Sequence, residues 1–235
     1  MQISWFATFN DKTAPTAEVT PEEIERITDI VKSTPGLSNG LVSTPWDVPG
    51  MPFDDKPLPQ LALQLYFDDI EQLEAALEPD GHLQKLADKS NLPTFKDPHV
   101  TEEAMLTRVY HAPDPAFKTA DGKPHCSFLV QYPGPSEQRN KWIRHYVVHH
   151  TAIMKTFPGI RQIEVCTALD WCSSMPWERV GHMLRNKVVF DDDVALQAAL
   201  GSPVLDDMMA DAALLPPYDG GSKHFPMATW GAPNR

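Results

Sequence analysis

A tyrosine, a histidine and an asparagine, Tyr146, His150 and Asn186, stand in this chain where a related stretch of the same chain carries an acid and two apolar residues. An imidazole titrates near neutrality and can act as general base or acid. A phenol four positions earlier on a helix lies beside it, placed to donate a hydrogen bond to a developing enolate oxygen or to relay a proton. An amide can orient a substrate. Together the three suit proton transfer on a small molecule. The plain alternative is a core histidine satisfied by Tyr146 or Asn186. Further candidates for substrate binding are His149, Trp142, Arg185 and Trp171. Arg185 is the arginine nearest to hand for a carboxylate, although strand alternation puts it on the opposite face from Asn186. His145 and His149 share the i, i+4 spacing of metal-binding pairs but project from a different side of the helix than His150. No His-Glu-x-x-His pattern and no third ligand accompany them, so no metal is expected, and the pair reads as solvated or interfacial.

The elements that must position these groups come from an internal repeat. Gly36 and Gly159, each in a Pro-Gly turn, are 159 − 36 = 123 positions apart, and Phe67 and Phe190 are 190 − 67 = 123 apart. Leu73 meets Leu196 and Leu77 meets Leu200 in the same register. Each copy reads β-α-β-β-α-β. In the first, a strand spans Met1–Phe9, and Thr20-Pro21 opens a helix with Ile24, Ile27, Ile30 and Val31 on its face. Strands follow at 37–44 and 61–67, then a helix from Asp69 to about Lys89, then a strand at 102–110. The second copy predicts a strand at 125–132, a helix at 136–156, strands at 160–169 and 181–190, a helix at 192–213 and a strand at 225–230. Residues 1–112 form the first, structural repeat, 113–124 the linker, and 125–235 the repeat that carries the site.

A βαββαβ unit is a ferredoxin-like α+β fold, a four-stranded antiparallel sheet with helices on one face. Two such sheets in one chain can cover each other's bare faces as a barrel-like body. The offset also gives the site its internal control. Ile27 becomes His150, Glu23 becomes Tyr146, and Leu63 becomes Asn186. At about 100° per residue Ile143, Tyr146, Val147, His150 and Met154 share one stripe. The paired polar replacements predict a pocket between this helix and the sheet.

Composition narrows the partners. A net charge of −12 repels phosphate backbones, so no nucleic acid is expected. No apolar run reaches the roughly 18 residues of a membrane span, and the first residues lack a signal peptide's pattern. Three cysteines without paired spacing fit a reducing compartment, most simply the cytoplasm.

The run His145-Tyr-Val-Val-His-His150 followed by Pro158-Gly-Ile160 resembles the EthD-like domain, as does Ser202-Pro203 with Asp211 and Tyr218-Asp-Gly220. The likeness covers about 100 residues of the second copy, and His149 and Thr151-Ala152-Ile153 depart from the usual pattern. The resemblance implies the dimeric α+β barrel group, many of whose members act on aromatic compounds. It places that family's histidine at His150 and its tyrosine at Tyr146. The reading that follows is a cofactor-independent isomerase or tautomerase, with a dehydratase or decarboxylase next. Its substrate would be a small conjugated carboxylate or aromatic-derived intermediate. Whether two chains associate, as in a homodimer, is not legible. Two other readings stand beside it: a non-catalytic carrier of a small aromatic ligand, and a haem-handling barrel protein with His149 or His150 as axial ligand.

Overall fold

The computed structural model describes residues 2–53 and 55–231. Met1, which the sequence pattern adds to the first strand, lies outside them. Eight strands close into one antiparallel barrel in the order β1-β3-β2-β9-β5-β8-β6-β4, and β4 returns to pair with β1. In the first half β1 is Gln2–Asn10, β2 Leu37–Pro45, β3 Leu61–Phe67 and β4 His99–Tyr110. In the second half β5 is His125–Tyr132, β6 Gln162–Ala168, β8 Leu184–Phe190 and β9 Lys223–Trp230, while β7, Glu178–Arg179, is a short parallel addition to β4. The expected two four-stranded sheets are present. They are also hydrogen-bonded into one surface, through β2 with β9 and β4 with β6.

The 123-residue offset is visible in the elements. Strand β8 begins 184 − 61 = 123 positions after β3. Helix α5, Asp193–Leu200, begins 193 − 70 = 123 positions after α2, Ile70–Leu77. The two Pro-Gly turns share their backbone as well, with Gly36 at φ 75° and Gly159 at φ 74°, a left-handed conformation that favours glycine. Helix α1, Pro21–Lys32, starts with a capping box, in which Thr20 Oγ1 accepts from the Glu23 amide and the Glu23 carboxylate accepts from the Thr20 amide.

Both long second helices are shorter than their patterns suggest. The one expected to run from Asp69 to about Lys89 stops at Leu77, because Glu78 precedes Pro79 and takes extended backbone, φ −58° and ψ 166°. Tight turns at His82–Ala87 and Lys89–Asn91 follow it. The one expected over 192–213 breaks at Gly201-Ser202-Pro203 into α5 and α6, Val204–Ala212. In the last strand, β9 starts at Lys223 rather than Phe225, which brings His224 into the sheet.

The helix expected over 136–156 is α3, Arg139–His145, a π-helical turn at Tyr146–His150, and α4, Thr151–Met154. Among the described residues no helix is long and apolar enough to cross a membrane.

Strand alternation divides the barrel wall. Leu184, Asn186, Val188 and Phe190 face the helices outside, while Arg185 and Lys187 face the lumen. The lumen is polar. Glu164 accepts from Tyr66 Oη at 2.9 Å and from Gln64 Nε2 at 3.0 Å, and pairs with Lys187 Nζ at 3.1 Å. Tyr66 and Gln64 belong to the first half, Glu164 and Lys187 to the second, so a buried polar cluster joins the two halves.

His125 also lies on the lumen side of β5, buried, with Nε2 lacking a hydrogen-bond partner among the described residues. Burial, helped by the nearby charge of Lys187, pushes its pKa down from 6.5 to about 4. The unfolded chain therefore takes up this proton first as pH falls, and stability present above 6.5 is lost on the way to about 4. Urea unfolding at pH 7.5 and 4.5 should show that loss. His125→Gln should reduce it by roughly 2 kcal/mol; equal losses in both proteins would assign the pH dependence to other groups.

Candidate active site

A cavity of about 150 Å³ lies between the outer face of β5, β8 and β9 and the helices of the second half. That is the size of an engineered protein cavity that holds a benzene ring. Its wall is mainly aromatic rings, leucines and methionines, and Tyr146, His150 and Asn186 all line it. Phe53, from the loop of the first half, lines it too, so the wall is not made by the second half alone.

His150 is held by a residue whose role is not evident from helical periodicity. Its Nδ1 lies 2.7 Å from Asp211 Oδ2, and the other oxygen of that carboxylate is 2.9 Å from His145 Nε2. Asp211 sits on α6, past the Gly-Ser-Pro break, and Met208, Met209 and Ala212 of the same helix line the cavity. In a regular α-helix residues five apart are separated by roughly 140°. The π turn, with its i→i+5 pattern, brings them closer to one face. That turn is why His145, expected on a different side, reaches the same carboxylate as His150.

The protonation states follow from this arrangement. Burial pushes the His150 imidazole below its usual value, and the Asp211 carboxylate only partly offsets it. For Asp211, burial alone would raise the pKa, but hydrogen bonds from His150 and His145 outweigh it and hold the carboxyl low. The pair is therefore a neutral imidazole beside a carboxylate. Nδ1–H donates a hydrogen bond to the carboxylate, which leaves Nε2 as the basic nitrogen. No described residue bonds to that nitrogen.

The rest of the polar set is similarly poised. The Tyr146 ring lies 4.5 Å from the His150 ring, centre to centre, and its hydroxyl donates to Tyr132 Oη at 3.3 Å. Burial, then Tyr132, pushes the Tyr146 pKa well up, and burial does the same to Tyr132, so both stay protonated. The hydroxyl that remains free to donate is that of Tyr132, which also lines the cavity. Asn186 Nδ2 donates to the Glu164 carbonyl at 2.9 Å, which leaves Oδ1 as an acceptor. Tyr132 falls 132 − 9 = 123 positions after Phe9, so the repeat carries its added hydroxyl, but a tyrosine matched to a phenylalanine reads as packing.

A second histidine–carboxylate pair borders the cavity. His224 Nδ1 lies 2.8 Å from Asp55 Oδ2, and Asp55 comes from the Pro-rich loop of the first half. Neither residue stands out by spacing, because 224 − 55 = 169 positions separate them and His224 falls outside the expected strand.

The remaining candidates stand elsewhere. Trp142 is fully buried and stacks on Tyr146 at 5.2 Å, outside the cavity lining. His149 is exposed and rests 4.9 Å from His145, ring to ring. Arg185 faces the lumen, 2.8 Å from Glu103 and over the Phe6 ring, so it does not reach this cavity. Trp171 packs in the core of the first half under Arg179. Among the described residues no lysine or arginine lines the cavity, so a carboxylate would lack the cationic anchor that the sequence expectation supplied. Among the described residues no three His, Cys, Asp or Glu side chains cluster as a metal site.

No family model and no curated protein sequence matches the chain. Solved structures do. One, an anthrone oxidase-like protein, aligns over 99% of this chain and 94% of its own, with a TM-score of 0.60 and 14% identity. A "putative monooxygenase" from Lactobacillus acidophilus NCFM aligns over 98% and 95%, with a TM-score of 0.55 and 10% identity. An ethyl tert-butyl ether D (EthD) family protein from Bacillus halodurans C-125 covers 47% of this chain and 99% of its own, at 17% identity and a TM-score of 0.33. The two full-length likenesses are likenesses of fold. In fold, this chain is a dimeric-type α+β barrel, with both halves of the barrel in one polypeptide.

Proposed function

We propose that this chain is a cofactor-independent proton-transfer enzyme, first of all an isomerase or tautomerase, acting on a neutral, ring-sized, aromatic-derived ketone or enol. The observation that carries the reading is the His150 imidazole held by Asp211 through Nδ1 in the wall of a mainly apolar cavity. In this role His150 Nε2 takes a proton from the carbon beside a carbonyl. The enolate oxygen that forms accepts from Tyr132 Oη, whose own oxygen accepts from Tyr146. Asn186 Oδ1 accepts from a donor on the substrate. Return of the proton to another carbon completes an isomerisation. Trp142 braces the Tyr146 ring from behind.

The same carbanion could instead meet oxygen. The names of the two full-length structural neighbours favour keeping that second reading, cofactor-free oxygenation of an activated ring carbon. A carrier without turnover is the third outcome.

Cyclohex-3-enone separates them. Its conversion to the conjugated enone is read by ultraviolet absorbance, and oxygen uptake is followed in parallel. His150→Ala, its fold checked by circular dichroism, should lower conversion by about 10²-fold or more. Oxygen uptake in place of conversion would favour the second reading. No turnover of this or related ring ketones would leave the carrier.

Because burial lowers the His150 pKa, the acid limb of kcat/KM should fall below the ordinary 6.5 of imidazole. A limb above 6.5 would mean that another group sets the rate. In Asp211→Asn the carboxylate that opposes burial is gone. The His150 pKa, followed by NMR titration of the ring, should then move further down, and an unchanged value would remove Asp211 from the pair.

A further inference from the structure

The second histidine of the cavity wall has no part in the proton transfer described above. His224 stands on β9 opposite Val130 of β5, on the helix-facing side of the barrel. Its position is over-determined. Asp55 Oδ2 accepts both from the His224 backbone amide at 3.0 Å and from Nδ1 at 2.8 Å. The ring stacks on Phe53 at 3.8 Å between centres, with 11° between planes. Lys223 Nζ lies 3.2 Å from the other Asp55 oxygen.

A loop staple alone would account for Nδ1. It does not account for Nε2, which has no partner among the described residues although the ring sits largely out of solvent in an apolar wall. Burial pushes the imidazole pKa below its usual value, against the opposing effect of Asp55, so the ring is neutral. Asp55, held low chiefly by its bonds to His224 and Lys223 against burial, is ionised. Nδ1 then carries the proton and Nε2 a lone pair. That nitrogen opens to the cavity, and a ring that fills the cavity shuts it off from water, which is costly unless the ring itself donates to it.

We infer that His224, held by Asp55 and Phe53 of the first half, accepts a hydrogen bond from a hydroxyl group on the bound ring, which makes the ligand a phenol or ring enol. This narrows the substrate class of the cavity read above as a proton-transfer site, and rests on that cavity taking a ring. Binding alone tests it, so it can fail while the catalytic reading stands, and the reverse.

The probes are phenol and toluene, rings of nearly equal size that differ in the donor. A purely apolar cavity prefers toluene, because burying an unpaired hydroxyl is unfavourable. Binding is measured by calorimetry on the full chain. The wild type should bind phenol at least as tightly as toluene. His224→Phe, which keeps a ring on Phe53 but removes the acceptor, should shift the ratio toward toluene by roughly tenfold. As a measurement that needs no variant, the ¹⁵N resonance of His224 Nε2 in labelled wild-type protein should move with phenol and not with toluene. A phenol response confined to His150, an unmoved His224 resonance, or a preference that survives His224→Phe would each overturn the inference.

Discussion

A four-stranded sheet with helices on one face leaves its other face, and its two edges, to be dealt with. In this chain the solution is closure. The β2–β9 and β4–β6 pairings consume the free edges of both halves, so the eight main strands all have neighbours on both sides. Once those seams exist, the bare faces become a single lumen, and the helices are confined to the outside. The location of the cavity follows from that constraint, since the outer face of β5, β8 and β9 is the surface on which the second half's helices can lie.

Closure also sorts the side chains along each strand. Arg185 and Asn186 are neighbours in sequence and face different compartments. The lumen holds Glu164, Lys187, Tyr66 and Gln64 in mutual contact. Buried ion pairs of this kind contribute little net stability once desolvation is counted. Here the contact does tie side chains of the two halves to one another. Outside the barrel the balance is reversed: the wall is apolar, and each polar group in it is oriented by a specific partner. Among the described residues, that orientation leaves Nε2 of His150, Nε2 of His224 and Oδ1 of Asn186 open as acceptors and the Tyr132 O–H open as a donor.

The hold on His150 depends on two departures from regular helix. The π turn at Tyr146–His150 aligns His145 and His150, and the break at Gly201-Ser202-Pro203 redirects α6 so that Asp211 can meet them both. Helix α6 thereby carries both cavity wall and the carboxylate that sets the imidazole tautomer.

The duplication, the α+β class and the approximate elements were legible in the sequence. They rest on local patterns: alternation, a capping box, Pro-Gly turns and a constant offset. That Tyr146 and His150 share a helical face turned to the sheet, and that Asn186 lies on the strand face opposite, was legible for the same reason, since one half serves as the control for the other. The partners of these residues were not. Asp211 is 211 − 150 = 61 positions from His150, and Asp55 is 169 from His224. Periodicity reports which face a residue occupies and says nothing about which distant loop or broken helix returns to that face. The π turn escaped because regular helical geometry was assumed across it. Strand alternation already separated Arg185 from Asn186. What only the tertiary structure decided is that the compartment Arg185 enters is a closed lumen with Glu103 waiting in it, because closure depends on edges meeting across the whole chain.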